Sequence, residues 1–280
     1  MKADKIFKEM CLDILNNGIS SVGQIVRPRW EDGTPAHTIK KFGVVNRYNI
    51  AEEFPIFTLR PTGFKNAIDE ILWIWQKKSN NVNELNSHIW DSWAQNSADG
   101  IDGSIGKAYG YQLGIKHKYP EGEMDQVDRV LFDLKNNPYS RRIMTNIYNF
   151  EDLHEMNLYP CAYGMTFNVT GNRLNAILNQ RSQDVLVANN WNVVQYAILV
   201  YMFAQVSELN VGELVHVIAD AHIYDRHIPI IEDLINREEY PAAILHINPN
   251  VNNFYDFTVD DFTLEGYRTG TQFTNIPIAV

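Results

Sequence analysis

The sequence contains only two cysteines, Cys11 and Cys161. Two scattered cysteines form neither a disulfide framework nor the closely spaced ligand set of a structural zinc site. The chain also lacks a run of about twenty apolar residues, which a membrane-spanning helix requires. Its first residues lead directly into an amphipathic segment, without the apolar block of a signal peptide. We therefore expect a cytoplasmic protein.

Positive charge is in short supply, because 24 lysines and arginines stand against 34 aspartates and glutamates, for a formal net charge of −10. This balance opposes non-specific binding to nucleic acids, which depends on a basic surface. It does not exclude a small anionic ligand, since a few arginines can gather in one pocket. The sequence also lacks a glycine-rich phosphate loop and a dinucleotide-binding fingerprint. Residues 103–107 superficially suggest a phosphate loop, but their spacing is wrong.

The pattern of apolar residues predicts the fold class. A hydrophobic content of 45% is enough for a large core. With no long linker or repeat, we expect one domain over residues 1–280. Apolar residues at helical spacing predict helices over residues 5–17, 63–77, 127–134, 192–208 and 230–235.

Alternating apolar and polar residues predict the strands. The clearest case is a hairpin over 163–182 that turns at residues 170–172. Other strands are predicted at 42–50 with a break near Arg47, at 143–148, at 254–267, and at 214–224 with the even-numbered side chains on one face. Interspersed helices and antiparallel strands predict an α+β fold, with a mixed or antiparallel sheet flanked by helices.

Cys161 follows a proline and precedes a predicted strand, where the backbone is stiff and can present the side chain. A nucleophilic cysteine reacts as a thiolate, and nearby positive charge lowers its pKa. The predicted hairpin brings Arg181 back toward Cys161, so Arg181 is the candidate for that charge. Taken alone, Cys161 fits a packing role at least as well, as Cys11 does on its apolar helical stripe.

Further arginines suit a phosphate, because a guanidinium presents forked donors. Arg27 lies in a predicted loop over 21–36, and Arg141 and Arg142 follow an Asn-Pro break. Arg181 belongs to the run Gln180-Arg181-Ser182-Gln183-Asp184, in which a hydroxyl and a carboxylate could bind other groups of the same ligand. Each of these features, considered singly, also fits an ordinary solvated surface.

Two more motifs leave alternatives open. His222 and Tyr224 would lie on one side of a strand, where they could bond a sugar hydroxyl, although Asp220, His222 and His227 could instead ligate zinc. Glu70 lies inside a strongly apolar helix. It is either a buried carboxyl with a raised pKa that can shuttle protons, or a residue at the helix edge that meets solvent.

These features follow one another in a specific order along nearly the whole chain: Arg27, Glu70-Ile71-Leu72-Trp73, Ile89-Trp90-Asp91-Ser92-Trp93, Tyr109-Gly110, Ser140-Arg141-Arg142, Pro160-Cys161, Gln180-Arg181-Ser182 with Asp184, Asn192, Asp220 with His222 and Tyr224, and Pro277-Ile278-Ala279-Val280. In this order they resemble the folate-dependent thymidylate synthases. The resemblance implies a methyltransferase that converts dUMP to dTMP. Its cosubstrate would be 5,10-methylenetetrahydrofolate, which supplies both the carbon and the hydride and leaves as dihydrofolate.

The resemblance also implies a role for each candidate residue. Cys161 would add to carbon 6 of the pyrimidine, Glu70 would relay protons, and Tyr109 would assist loss of the carbon 5 proton. The nucleotide would be held by Arg27, Gln180, Arg181, Ser182, Asn192, His222 and Tyr224. Arg141 and Arg142 would reach the phosphate in a partner subunit, which makes the active unit a homodimer. Folate would be framed by Trp90, Trp93, Asp184, Ala279 and Val280, and no metal is implied.

Some positions depart from the family pattern. Ala162 stands where a histidine is usual, Ala219 where a glycine is common, and Ala188-Asn189-Asn190-Trp191 where the family has Gly-x-Pro-Phe. These changes bear on the folate geometry and the rate. Two other functions stay open, a hydroxymethylase of the same family and a catalytically weak RNA-binding regulator. Asn192 and Trp90 favour uracil and methyl transfer, and the acidic charge opposes RNA binding.

Overall fold

The computed structural model describes residues 2–95, 97 and 99–280. Its helices are α1 (Lys2–Asn17), α2 (Phe64–Leu72), α3 (Gly110–Gly114), α4 (Gln126–Asn136), α5 (Asn189–Val206) and α6 (Ile228–Asn236). Its strands are β1 (Ile19–Ser20), β2 (Thr38–Tyr48), β3 (His117–Tyr119), β4 (Gly122–Met124), β5 (Met144–Asn146), β6 (Ala162–Thr170), β7 (Arg173–Asp184), β8 (Asn210–Tyr224), β9 (Ile244–Ile247) and β10 (Phe262–Glu265). Each helix predicted from spacing is present, and α2 continues as a π-helical turn over Trp73–Lys77.

Six strands form the main sheet in the order β1-β2-β8-β7-β6-β5. Its neighbouring strands are antiparallel except β7 and β8, which run parallel because α5 carries the chain back between them. The sheet is therefore mixed, and the predicted α+β class is confirmed. The predicted hairpin is β6–β7, with Thr170 paired to Arg173 at the turn.

Two apolar clusters hold helices against the sheet. Helix α5 is apolar almost all round, and it contacts both α2 and the sheet, so that residues such as Ile198 and Phe203 are fully buried. Helices α1 and α6 pack through Phe7, Ile14 and Ile231 in a second cluster. Burying one such side chain contributes about 1.5–3 kcal/mol. In the part of the chain that the structure describes, no helix combines the length and apolar character needed to cross a membrane.

A row of apolar side chains on the main sheet is left partly exposed. Directly paired residues point to the same side of a sheet, and one such row runs through Met144, Thr166, Ile177 and Val215. Val45 lies beside this row and is paired with Val217. Val45 and Ile177, on inner strands, are 53% and 38% exposed, and Met144, on the edge strand β5, is 57% exposed. We call these five apolar and hydroxyl-bearing positions, Val45, Met144, Thr166, Ile177 and Val215, the open sheet face.

The break predicted near Arg47 is wrong. Arg47 pairs with Val215, and the ladder instead passes over Gly43, whose φ of 77° is a conformation that suits glycine. The strand β8 is extended as predicted, but its even-numbered side chains do not keep to one face. Ile218 and Ala221 are three positions apart, an odd separation, yet both pack in the cluster with α1, so the alternation of side chains changes between them.

The strands predicted over 254–267 are mostly wrong, because only Phe262–Glu265 is extended. Two short 3-10 turns precede it, and polar side chains start both of them. Asn253 accepts a hydrogen bond from the N–H of Tyr255, and Thr258 and Asp261 form a capping box. β10 pairs with β9, a strand that was not predicted.

Candidate active site

Cys161 lies directly before β6, at the point where the hairpin brings Arg181 opposite it. The carbonyl of Cys161 accepts a hydrogen bond from the N–H of Arg181 at 2.9 Å. The N–H of Cys161 donates to the phenol oxygen of Tyr109 at 3.1 Å. Tyr109 has a φ of 47°, rare for a side chain of its size. The backbone of Cys161 is therefore held from two sides, by the N–H of Arg181 and by the phenol of Tyr109.

The guanidinium of Arg181 is held over the thiol by backbone carbonyls. Its Nε donates to Pro160 O at 2.9 Å and its Nη2 to Tyr159 O at 2.7 Å. Nη2 lies 3.8 Å from Cys161 Sγ. The forked donor thus uses two of its N–H groups on the loop that carries the cysteine, which fixes the positive charge beside the sulfur.

The thiol is nevertheless harder to ionise than an ordinary cysteine. Burial raises the pKa of Cys161, and Arg181, Tyr109 and Arg27 lower it by less than burial raises it. The arginines do lower the pKa of the Cys161 thiol, as the sequence predicted. The net direction is opposite to a reactive, low-pKa cysteine, because the site excludes water.

Glu70 is buried, and the alternative of an exposed helix edge is wrong. Its Oε1 accepts a hydrogen bond from Gln195 Nε2 at 2.8 Å, and its Oε2 accepts from Trp191 Nε1 at 3.1 Å. Burial raises the pKa of Glu70 to about 7, against these hydrogen bonds, which lower it. The carboxyl can therefore gain or lose a proton near neutral pH.

A chain of amides leads from Glu70 into the site. Gln195 Oε1 accepts from Asn192 Nδ2 at 3.2 Å, and Asn192 Oδ1 accepts from Gln180 Nε2 at 3.1 Å. Gln180 Oε1 lies 2.7 Å from His216 Nε2. Burial lowers the pKa of His216 to about 3, so its ring is neutral at physiological pH. The sequence did not predict Gln195 or His216 as site residues.

His222 and Tyr224 lie side by side at the end of β8, with ring centroids 5.0 Å apart. Asp220 Oδ1 lies 2.9 Å from His222 Nδ1, which orients the imidazole. The third residue of the zinc alternative is elsewhere, because His227 Nε2 donates to Pro277 O at 2.7 Å. Among the residues that the structure describes, no three His, Cys, Asp or Glu side chains converge on a metal position.

The remaining arginines lie in two places. Arg27 is exposed, and its charge lowers the pKa of both Cys161 and Tyr224, so it faces the site. Arg141 and Arg142 are exposed and precede β5. The next residue, Ile143, accepts a hydrogen bond from the N–H of Phe167, six positions along from Cys161. That is about 20 Å at the rise of a strand, so these two arginines are not brought to the cysteine of their own chain.

Aromatic residues and the C-terminal segment form the rim of the site. Trp90 packs against Tyr109 at 5.1 Å and against Trp93 at 5.9 Å between ring centroids. Val280 exchanges two backbone hydrogen bonds with Arg29, at 2.8 and 3.0 Å. The contacts of three other predicted residues are as follows. Ala279 packs against Trp30 and Tyr224. Asp184 accepts hydrogen bonds from the N–H groups of Leu186 and Val187, and Ser182 pairs with Asp220 of β8.

Comparison with known proteins identifies the family. The family model described as thymidylate synthase matches residues 5–280. The chain belongs to the thymidylate synthase family. It is 45% identical over 272 residues to a thymidylate synthase of Bacillus subtilis subsp. natto, and 46% identical over 272 residues to one of Bacillus phage phi3T, covering 95% of each chain in both cases. The structure of thermostable thymidylate synthase A from Bacillus subtilis superposes with a TM-score of 0.93 at 43% identity, covering 99% of both chains. The predicted family and its enzyme class, a methyltransferase, are confirmed.

The positions that depart from the thymidylate synthase pattern have structural explanations here. Trp191 supplies the indole N–H that Glu70 accepts, and Gly63 leaves room for its ring, since a Cβ at Gly63 would lie 3.1 Å from it. Ala188 has a φ of −104°, so this position does not require glycine. Ala162 is buried and pairs with Gln180, which places a methyl group where a histidine would add a polar ring. Ala219 has no paired residue in the registers of β8 with β2 and with β7.

Proposed function

We propose that this chain catalyses the reductive methylation of dUMP to dTMP with 5,10-methylenetetrahydrofolate, through a covalent bond between Cys161 and carbon 6 of the pyrimidine. We also propose that residues 1–280 act as a single catalytic domain. The observation that carries the proposal is the position of Cys161 Sγ, 3.8 Å from the guanidinium of Arg181 and beside the amide chain that includes Asn192. A nucleophile, a fixed cation and an amide that can read a base edge are the groups this reaction needs.

The nucleotide would be bound through its three chemical parts. Arg181, Ser182 and Arg27 would hold the phosphate, and its negative charge would be balanced by these guanidinium groups. Asn192, supported by Gln180, would bond the uracil edge. His222 and Tyr224 would bond the ribose hydroxyl, since the two rings already share one side of β8.

The folate supplies the one-carbon unit and the hydride, and the chain positions it and moves protons. Trp90 and Trp93 would offer aromatic surface to the folate. Asp184 has one carboxylate oxygen, Oδ2, beyond the oxygen that accepts two backbone N–H groups, and Oδ2 would bond the folate. Val280 is hydrogen-bonded to Arg29, and Ala279 packs on Trp30. These two residues would close the site against water.

Glu70 and Tyr109 would handle the protons. A carboxyl with a pKa of about 7 can accept and return a proton at neutral pH. The phenol of Tyr109 touches the backbone of Cys161 and would assist loss of the proton from carbon 5 of the pyrimidine.

A homodimer is the proposed active unit. The open sheet face would be covered by the same face of a second copy, because a group of exposed apolar side chains on one face of a sheet favours association. Arg141 and Arg142 lie too far from their own Cys161, and in a dimer they would serve the phosphate of the partner subunit.

The central experiment is mass spectrometry of the protein incubated with 5-fluoro-dUMP and 5,10-methylenetetrahydrofolate. The fluorine cannot leave as the proton does, so the intermediate should accumulate as a ternary covalent adduct on the peptide that contains Cys161. With dUMP instead, dihydrofolate absorbance should rise and dTMP should form. An intact protein that gives neither adduct nor dTMP would overturn the proposal, and 5-hydroxymethyl-dUMP as product would indicate the hydroxymethylase.

The role of Arg141 and Arg142 can be tested by subunit mixing. Cys161→Ser and the double variant Arg141→Ala/Arg142→Ala should each be inactive as homodimers. After unfolding and refolding together, half of the dimers are mixed and carry one intact site, so about a quarter of wild-type activity should return. A mixture that stays inactive, or an active double variant, would show that these arginines do not serve the partner's site.

A further inference from the structure

We propose that Gln195 and His216 are positioning residues that hold the Asn192 amide in the one orientation that accepts uracil and rejects cytosine. This inference rests on the proposed function and concerns how its base specificity is built. Both residues lie outside the set that would touch the nucleotide. They act through the hydrogen bonds that join them to the Asn192 amide.

The orientation begins at Glu70. Above pH 7, where Glu70 is mostly ionised, its carboxylate only accepts hydrogen bonds, and Trp191 Nε1 donates to one of its oxygens while Gln195 Nε2 donates to the other. Gln195 must therefore turn its NH₂ group toward Glu70 and its carbonyl oxygen away. That oxygen lies 3.2 Å from Asn192 Nδ2, so it can only accept from the NH₂ group of Asn192.

A second fixed acceptor acts from the opposite side. The backbone carbonyl of Ser182 accepts from Gln180 Nε2 at 3.1 Å, which points the NH₂ group of Gln180 toward Ser182 and Asn192. Gln180 Oε1 must then accept from His216 Nε2 at 2.7 Å. Because the ring of His216 is neutral, its single N–H is committed to Gln180.

Asn192 is thus constrained on both of its polar atoms. Its Oδ1 accepts from Gln180 and its Nδ2 donates to Gln195, which leaves one lone pair on Oδ1 and one hydrogen on Nδ2 for a ligand. Uracil presents a donor at N3 and an acceptor at O4, which complement these two groups. Cytosine presents an acceptor at N3 and an amino donor at carbon 4, so both contacts would be mismatched.

Rotation of the Asn192 amide would relieve that mismatch only by breaking the chain. The carbonyl oxygen of Gln195 would have to face the carboxylate of Glu70, and the carbonyl oxygen of Gln180 would have to face the backbone carbonyl of Ser182. In both cases two acceptors would meet and a hydrogen bond would be lost. Gln180, Gln195 and His216 are at most 2% exposed, so water cannot replace the lost partners. Leaving buried polar groups unpaired is costly, so the chain strongly disfavours the rotated amide.

The test compares dUMP with dCMP as substrates at pH 8, where Glu70 is mostly ionised, for Gln195→Met, a variant with a side chain of similar length that can neither fix Asn192 nor bond Glu70. The ratio of kcat/KM for dUMP to that for dCMP should fall at least tenfold. Any loss of proton relay through Glu70 affects both substrates alike, so the ratio isolates the orientation of Asn192. The matched control is Gln205→Met on the same helix, where the glutamine bonds Asn248 O and Val251 O. Its ratio should equal that of the wild type.

A second variant, His216→Leu, removes the donor at the other end of the chain, and it should shift the ratio in the same direction. If either variant folds, turns over dUMP and keeps the wild-type ratio, the inference is overturned. A wild-type protein that forms no dTMP would instead overturn the proposed function, so the two failures are distinguishable.

Discussion

The two halves of the site are organised in opposite ways. In the inner half, Glu70 and the amides of Asn192 and Gln180 are bonded to other groups of the chain before any ligand is present. In the outer half, Arg27, Arg141 and Arg142 are all exposed. The difference follows from solvation. Neutral amides can be buried if their hydrogen bonds are satisfied, whereas an unpaired guanidinium is stable only in contact with water until its anionic ligand arrives.

Cys161 lies where the two halves meet, and its removal should have the largest effect. In Cys161→Ser the hydroxyl is a far weaker nucleophile than the thiol, so turnover of dUMP should fall by about four orders of magnitude or more. The measurement is dTMP formation at saturating folate. The outer half should still bind nucleotide, which equilibrium titration with dUMP would detect.

The second cysteine provides the control. Cys11 is fully buried in the cluster with α1 and α6, remote from these groups. Cys11→Ala should keep the turnover of the wild type and lose only about 1 kcal/mol of stability. If Cys161→Ser keeps its activity, Cys161 is not the nucleophile, and the comparison of the two halves loses the residue that joins them.

The inner half should impose a pH dependence on stability. The pKa of Glu70 is about 7 in the folded chain and 4.5 in the reference state, so folding favours its protonated form. That contribution is complete below pH 4.5 and is lost as the pH rises to about 7, by at most about 3 kcal/mol. Glu70→Gln cannot titrate, and the wild type should therefore lose stability relative to this variant across that range.

Denaturant unfolding at pH 5 and pH 8 would measure this difference. Other groups interact electrostatically with Glu70 or with its neighbours, namely Asp69, Tyr109, Cys161 and Tyr196. All four are present in both proteins, so their contributions to the difference in stability largely cancel. Parallel stability curves for the two proteins would mean that Glu70 ionises as an exposed carboxyl does. The inner half would then not be desolvated.

The smallest expected effect concerns the forked contacts of Arg181 in the outer half. Arg181→Lys keeps the charge, but one ammonium cannot bond Tyr159 O and Pro160 O and also lie over the sulfur. The pKa of Cys161 should rise, alkylation by iodoacetamide at pH 8 should slow, and kcat/KM for dUMP should fall about tenfold. Arg173→Lys, on the same strand but bonded only to Val211 O, is the control. Equal alkylation rates in all three proteins would contradict this role.

The sequence predicts the elements whose partners are local. Helix α1, the helix that begins at Phe64 and the β6–β7 hairpin follow from spacing, because each has one clear apolar face. Strand β9 and the irregularity at Gly43 were missed, since they depend on which distant strand lies alongside. The tail was misjudged because Asn253 and Thr258 bond the backbone locally and compete with extended structure.

The site divides in the same way. Motif order led to Cys161, Arg181 and Asn192, which the structure brings together. Gln195 was missed because it lies between apolar neighbours in a helix that is apolar almost all round, and nothing in its spacing points to Glu70. His216 was missed because only the parallel register of β7 and β8, which places His216 beside Leu178, brings it within reach of Gln180. The net rise in the pKa of Cys161 depends on burial, which a motif does not contain.

The central position of β8 in the main sheet has a consequence for synthesis on the ribosome. Val45 of β2 pairs with Val217 of β8, 172 residues later in the chain. At about 5–20 residues per second, β2 emerges roughly 10–35 s before the strand that covers its long edge. During that interval the nascent chain exposes the backbone edge of β2 that β8 later pairs with, so chaperone demand should be greatest just before residue 224 leaves the exit tunnel.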